Sequence, residues 1–329
     1  MRLALCMLSG LLVFSLQGQT WAEANKVLKL MGCRFELTAV ASNDTIAWEA
    51  IQAGIDEISR IERLISSWDS TSQTSAINKN AGIQAVEVDP ELYDLIYRSK
   101  KVSKLTGGAF DISFASMDKI WDFNGQEQTM PDSQMVQYAA AKINWENILL
   151  DPENSTVFLK EKGMKIGFGA IGKGYAANRA KQIMAAITGV VGGVVNASGD
   201  LMVWGSNAQE TPWTVQIADP KRKDQMIGWL ALKDMAIVTS GDYEKYFTSR
   251  GIRYAHIINP KTGYPTTGIS SVSVVCPDAE LADALATAIF VLGKDRGLKL
   301  VNQLNQVECL IITEKGALFT SAQLQLHYY

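Results

Sequence analysis

The 329-residue sequence predicts a mixed α+β fold, with mostly antiparallel sheets and helices packed on them. Three observations point there. Short apolar stretches separated by turn residues fold back on one another, so hairpins outnumber clean β-α-β units. Three helical segments start behind an acidic cap, at Asp44, Asp89 and Asp278. Hydrophobic residues make up 47% and charged residues 20%, enough to fill a core. That balance excludes a disordered chain, a collagen-like chain and a small disulfide scaffold. A net charge of −3 without a Lys/Arg cluster excludes a basic nucleic-acid binder.

The elements follow in order. Arg2, the apolar run from Leu3 to Leu16 and the polar-to-small stretch ending at Thr20-Trp21-Ala22 read as a secretory leader. Residues 1–22 are therefore expected to be removed, leaving 23–329 as one exported, periplasmic domain, with association at the inner membrane a further expectation. An uncleaved membrane anchor is the competing reading, but the run is short for a span. Of four cysteines, Cys6 falls in the leader. Cys33, Cys276 and Cys309 form no C-x-x-C pair, which argues against a zinc ribbon and for small buried residues.

Val27 to Ala41 alternates as a strand. Asp44 is expected to cap a helix with Ala47, Ile51, Ile55, Ile58 and Ile61 on one face. Gln126 to Asp132 reads as a surface loop. Asp89-Pro90 starts a helix burying Leu92, Leu95, Ile96 and Val102, and it stops at Gly107-Gly108. Asn147 to Asp151 and Thr156 to Lys160 form a hairpin. Lys165 to Phe168 looks strand-like, and a helix runs from about Ile171 to Ile187. Val190 to Trp204 gives two strands around Ser198-Gly199-Asp200. Short strands follow at Trp213 to Ala218, Trp229 to Lys233, Ala236 to Thr239, Tyr254 to Ile258 and Ile269 to Cys276. Asp278 caps a helix carrying Leu281, Leu285, Ala288 and Leu292, and a last helix and two strands close the chain.

Four segments carry chemistry. Gly167-Phe168-Gly169-Ala170-Ile171-Gly172 matches G-x-G-x-x-G and opens a helix, a place suited to pyrophosphate. A Rossmann dehydrogenase is rejected, because the motif sits in mid-chain and the next strand returns as a hairpin with no crossover helix. Asp283 and Thr287 are four residues apart on one helix face, expected to be exposed, where a carboxylate and a hydroxyl can hold a hard cation. A solvated face with an incidental hydrogen bond is the plainer reading of that pair. The sequence has only two histidines. His256 lies on a strand before the turn Asn259 to Pro265, and His327 lies in the C-terminal tail. Thr106 to Asp111 leaves a helix through two glycines.

Taken together, these segments resemble the ApbE family of FAD:protein FMN transferases. The resemblance is carried by Met31-Gly32-Cys33-Arg34-Phe35, Ser66-Ser67-Trp68, Thr106 to Asp111, Gly167 to Ala176, Asn196 to Gly205, Val238 to Tyr243, His256 to Pro265 and Ala282 to Thr287, in the family's order. Cys33, Gly167, Ser198 and Asn259 depart from the usual Thr, Asp, Gly and Asp. The resemblance implies a cleft between two lobes that binds FAD as substrate, transfer of FMN to a threonine of a partner protein, and release of AMP. It implies Mg²⁺ on Ala170 (by its carbonyl), Asp283 and Thr287, and His256 as the base. Met31, Trp68, Ala109, Phe110, Asp111 and Gly167 would wall the flavin and adenine, and Lys173 would steady a phosphate or ribose. The implied acceptor is a protein carrying the modified threonine, with a membrane redox-complex subunit among the candidates. A metal-dependent FAD pyrophosphatase and a non-catalytic flavin-binding protein are the alternatives.

Overall fold

The computed structural model describes residues 20–117, 120–222, 224–242 and 245–328. Residues 1–19 of the predicted leader, Cys6 included, lie outside the described residues, as does Tyr243 of the Val238–Tyr243 segment. The single strand expected over Val27 to Ala41 is a hairpin. β1 (Ala22–Leu30) returns as β2 (Cys33–Ala41), and Ala22, the last residue of the predicted leader, pairs with Ala41. Met31 and Gly32 have φ of 49° and 73°. Two positive φ values make the tight turn whose twist suits a hairpin. Apolar alternation runs straight through such a turn, which is why one strand was expected.

α1 (Asp44–Ile65) buries Ala47, Ile51, Ile58 and Ile61 as the spacing predicts. Its cap is Asn43, not Asp44: the Asn43 side chain accepts the Ile46 N–H at 3.0 Å. Asp44 sits in the first turn, where the helix dipole favours an acid. α2 (Gln73–Lys79) and β3 (Val86–Glu87) are short. α3 (Pro90–Leu105) has the predicted Asp89 cap and Pro90 start. α4 (Ser133–Ala140) begins directly after the expected loop. β4 (Ile148–Asp151) and β5 (Thr156–Leu159) form the predicted hairpin.

Lys165 to Phe168 is extended but pairs with no strand. The Ile166 N–H donates to Asn78 Oδ1 and its carbonyl accepts from Asn78 Nδ2, at 2.8 and 2.9 Å. One side chain thus replaces a ladder partner, which no local pattern signals. The chain continues through α5 (Gly172–Ala185), β6 (Val190–Ala197), β7 (Asp200–Gly205), β8 (Trp213–Ala218), β9 (Met226–Leu232), β10 (Met235–Gly241), β11 (Tyr246–Ser249), β12 (Ile252–Ala255) and β13 (Ile269–Cys276). α6 (Ala279–Leu292), capped by Asp278 as predicted, α7 (Lys294–Val301), β14 (Glu308–Thr313), β15 (Leu318–Thr320) and β16 (His327–Tyr328) complete it. His327 is no loose tail: it pairs with Trp229 of β9 and stacks on its ring at 4.1 Å.

Eight strands form one sheet in the order β1-β2-β6-β7-β10-β13-β14-β15, antiparallel at each pairing. α1, α5 and α6 pack on one face, burying Leu37, Ile58, Ala177, Val238, Val274 and Leu285 in the main core. The small sheet β16-β9-β8 covers the other face with Ile217, Leu230 and Leu232 against Val203, Val275 and Leu310. β13 is buried along its whole length for that reason. Cys276 and Cys309 are buried and Cys33 is half-buried, as expected of small residues. Among the described residues no helix is long and apolar enough to cross a membrane.

A charged network braces the helices. Arg60 of α1 holds Glu57 and Glu91 at 2.7–2.8 Å, Arg179 of α5 reaches Glu57, and the Tyr175 hydroxyl donates to Glu91. Arg60 keeps both carboxyls below their usual range. Arg98 of α3 grips Glu280 of α6 through two hydrogen bonds at 2.7 and 2.9 Å.

α5 and α6 touch most closely at Gly174. A Cβ there would lie 2.1 Å from the Ala279 carbonyl oxygen. Gly174→Ala is therefore expected to push the helices apart and lower the thermal midpoint, by roughly 1–3 kcal/mol of stability. Thermal denaturation followed by circular dichroism checks this, and an unchanged midpoint would refute the close approach.

Candidate active site

The glycine segment forms no phosphate-binding strand-turn-helix of the Rossmann kind. It is a turn over residues 169–171 that delivers the chain into α5. Its glycines let other parts of the chain come close. A Cβ on Gly167 would sit 3.2 Å from Ala115 and 3.9 Å from Ser67 Oγ. One on Gly172 would meet Ile65 at 2.8 Å and the Met31 methyl at 3.7 Å. The predicted Met31, the Ser66-Ser67-Trp68 segment and the glycine turn are thus neighbours, although they are up to 140 residues apart in sequence. Trp68 is 87% exposed, an indole offered to solvent beside this turn.

Thr106 to Asp111 braces the site from behind. Ala109 and Phe110 are in the core. Asp111 is buried, and both its oxygens hold backbone: Oδ1 accepts from the Ser113 N–H and hydroxyl at 2.8 and 2.6 Å, and Oδ2 from the Trp145 N–H at 2.9 Å. Burial raises its pKa, and those hydrogen bonds oppose the rise. These three residues were expected to wall a ligand. In the structure Ala109 and Phe110 pack in the core, and Asp111 pins the backbone at Ser113 and Trp145.

The expected exposure of the Asp283–Thr287 face is corrected. Thr287 is half-buried, but Asp283 is only 4% exposed, because α5 lies across it. The periodicity of α6 alone could not show this, since the helix is covered almost all round. Asp283 Oδ2 accepts the Gly174 N–H at 3.0 Å. That bond joins the α6 carboxylate to the first turn of α5, four residues after Ala170. A carboxylate, a hydroxyl one turn away and a carbonyl on the adjoining turn make an all-oxygen donor set, which fits Mg²⁺. Among the described residues no group of three or more His, Cys, Asp or Glu gathers to hold a metal; this set has one carboxylate and lies outside that pattern.

Lys173, the second residue of α5, reaches across to Asp200 at the β6–β7 turn, with Nζ 2.5 Å from Oδ2. Asp200 was expected only as part of the turn between two strands and was not among the candidate site residues. His256 is not on a strand. β12 ends at Ala255, and His256 occupies the following bend, half-buried. Its Nδ1 lies 3.2 Å from the Lys245 carbonyl oxygen, and its N–H donates to the same oxygen at 3.0 Å. A ring nitrogen facing a carbonyl carries the proton, so Nε2 carries the lone pair. Burial, helped by the Lys245 and Lys173 charges and opposed by the Lys245 carbonyl, pushes the pKa of His256 down to about 4. The ring is therefore neutral at pH 7, and the Lys173 ammonium lies within electrostatic reach of it.

Asp242 was quoted in a motif but not as a site residue. It is buried at the end of β10, its N–H donates to the Ser270 carbonyl at 2.9 Å, and burial raises its carboxyl pKa against the pull of Arg253. A separate cavity of about 430 Å³, lined by residues including Lys221, Arg222 and Lys315, contains none of the predicted residues.

A model of the ApbE family matches residues 31–311. The chain belongs to the ApbE family. Its relatives agree with that placement. The FAD:protein FMN transferase of Treponema pallidum (strain Nichols) is 32% identical over 281 residues, covering 80% of this chain and 77% of that one. The FAD:protein FMN transferase of Klebsiella pneumoniae (strain 342) is 28% identical over 301 residues, covering 91% and 92%. The crystal structure of the ApbE protein from Thermotoga maritima superposes with a TM-score of 0.82 at 33% identity, covering 92% of this chain and 97% of that one. The mixed, mostly antiparallel α+β architecture is thus the fold of the ApbE family.

Proposed function

We propose that this ApbE-family enzyme is an FAD:protein FMN transferase that moves FMN from FAD to a threonine hydroxyl of a partner protein, with Mg²⁺, and releases AMP. The observation that carries the chemistry is the hydrogen bond from the Gly174 N–H to Asp283. It places a carboxylate at the glycine turn, where backbone N–H groups and the helix N-terminus suit a pyrophosphate. Ala170, Asp283 and Thr287 would hold Mg²⁺. When bound, the ion supplies neutralisation of the charge that builds on the pyrophosphate.

The other steps belong to the chain. Met31 and Trp68 border the place where FAD would lie in the cleft. Lys173 meets its phosphates. His256 accepts the threonine proton at Nε2, the nitrogen its Lys245 contact leaves unprotonated. The threonine Oγ–phosphorus bond forms as the bond from that phosphorus to the bridging oxygen breaks. AMP departs with the bridging oxygen.

The test incubates the protein with FAD, Mg²⁺ and a threonine-bearing acceptor domain. Expected are in-gel flavin fluorescence on the acceptor, AMP in the supernatant, and loss of both with EDTA. AMP without a labelled acceptor would establish a pyrophosphatase instead. Binding of FAD with neither product would establish a binding protein.

The export reading is part of the same proposal. The partner is then a periplasmic or membrane redox-complex subunit. Mass spectrometry of the protein from a periplasmic extract is expected to show a chain beginning at Glu23, one residue into β1. A chain keeping Met1 in the membrane pellet refutes it.

A further inference from the structure

We propose that Asp200 is a positioning residue: buried beneath the β6–β7 turn, it fixes the Lys173 ammonium at the N-terminus of α5, where that ammonium meets the FAD pyrophosphate. The first observation is that Lys173 sits where a helix disfavours it. The N-terminal turn of a helix carries partial positive charge, and acids rather than lysines stabilise it. α5 has no acid in its first turn and no side-chain cap. A lysine placed there raises the local positive potential at the expense of helix stability, which is the arrangement an anion-binding site needs and a structural helix does not.

The second observation is Asp200 itself. Its side chain is 1% exposed, against 25% for Lys173, and the two meet at 2.5 Å. A buried carboxylate is costly unless paired. Asp200 therefore does not follow Lys173 about; the buried partner is the fixed one, and the half-exposed ammonium is held to it. The hairpin explains the fixity. Ala197 and Asp200 pair directly across the turn, and Gly199 N–H donates to Asn196 Oδ1 at 2.9 Å. Ser198 has φ of 54° and Gly199 of 104°. β6 and β7 are inner strands of the large sheet, each paired on both sides, so the carboxylate rests on a hydrogen-bonded layer.

The third observation is that Lys173 is within electrostatic reach of His256. Holding the ammonium in place thus orders it against both the phosphates and the base. A long lysine left free would sample several rotamers, and ordering it on each binding event costs rotamer entropy. Asp200 makes that ordering part of folding.

The turnover part of the test rests on the transferase reading above; the binding part does not. Asp200→Asn, Lys173→Met and the double variant are compared with the wild-type chain. FAD affinity is measured with EDTA present, by quenching of flavin fluorescence, and kcat and KM by FMN transfer to the acceptor. Asp200→Asn is nearly isosteric, so its thermal midpoint reports any loss of fold. Expected are about tenfold weaker FAD binding and about 10–100-fold lower kcat in each single variant. The double variant is expected to match Lys173→Met in both readouts, because Asp200 acts only through Lys173. A residue that merely supports the fold would instead add its effect to that of Lys173→Met.

The proposal is overturned if Asp200→Asn binds FAD like the wild type, or if the double variant is weaker than Lys173→Met by the Asp200→Asn factor. Should Asp200→Asn fail to fold, the double variant, which has no buried unpaired charge, still decides: equality with Lys173→Met supports the proposal and a further loss overturns it. A wild-type chain that binds FAD with this pattern of non-additivity but labels no acceptor sinks the transferase reading and leaves the role of Asp200 standing.

Discussion

Asp283→Asn is expected to reduce FMN transfer by about 10³-fold or more and to abolish its response to Mg²⁺. Neutralising charge on a pyrophosphate is worth several kcal/mol at the transition state, and each 1.36 kcal/mol is a factor of ten. The structure chooses the substitution. Asp283 is buried and accepts the Gly174 N–H at 3.0 Å, so alanine would leave a buried donor without its partner. That alone costs about 1–3 kcal/mol of stability. Asparagine keeps an acceptor for Gly174 and removes the charge, which separates fold from chemistry. FAD binding is expected to weaken but persist. Thr287→Val should lose less, because one neutral oxygen of several disappears. Transfer assayed against Mg²⁺ concentration checks the set: an Asp283→Asn enzyme with wild-type turnover and titration would show that the ion, or the need for it, lies elsewhere.

His256→Asn is expected to lower kcat by ~10²–10⁴ with FAD affinity nearly unchanged. A threonine hydroxyl attacks poorly unless its proton is accepted as it does so. Because phosphoryl transition states are loose, a loss at the low end of that range fits late proton transfer. The pH dependence follows from the site. A free imidazole titrates near 6.5, which by itself would predict falling activity below pH 7. Burial and the Lys245 and Lys173 charges instead push the pKa to about 4. The base is neutral down to that point, so the acid limb of kcat/KM is expected near pH 4 and the rate is flat from pH 6 to 8.

The same shift bears on folding. Between about 4 and 6.5 the unfolded chain binds the His256 proton and the folded chain does not. Its contribution to stability is therefore complete above 6.5 and is lost as the pH falls toward 4. An acid limb near 6.5 would overturn the lowered pKa, and wild-type turnover of His256→Asn across pH 6 to 8 would make His256 structural. With only two histidines, and His327 of β16 stacked on Trp229 of β9, His256 is the sole candidate imidazole.

How much of this was legible in the sequence differs by element. The start of α3 at Asp89-Pro90, the start of α6 at Asp278 and the hairpins β4–β5 and β6–β7 rest on caps, turns and local periodicity, and the chain holds what is needed to specify them. The family's motifs are likewise a property of the chain, matched over residues 31–311. The resemblance also singled out His256, Asp283 and Lys173 as candidate site residues, position by position. These are short-range or residue-by-residue facts, and no packing is needed to read them.

Tertiary structure decided what those residues do to one another. The β1–β2 turn passed unseen because alternation survives a two-residue turn. The segment before α5 is ordered by Asn78, 88 residues away in sequence. Asp283 is buried because α5 crosses α6 at Gly174, and a helix covered on nearly all sides has no polar face to betray a buried carboxylate. Asp111 is buried with its oxygens on the Ser113 and Trp145 N–H groups, and the second of these lies 34 residues away in sequence. The Lys173–Asp200 pair joins a helix start to a hairpin turn, and the lowered pKa of His256 comes from burial beside charges on other elements. Burial, charge and close approach are properties of pairs of segments, and a linear pattern holds no record of which segments will meet.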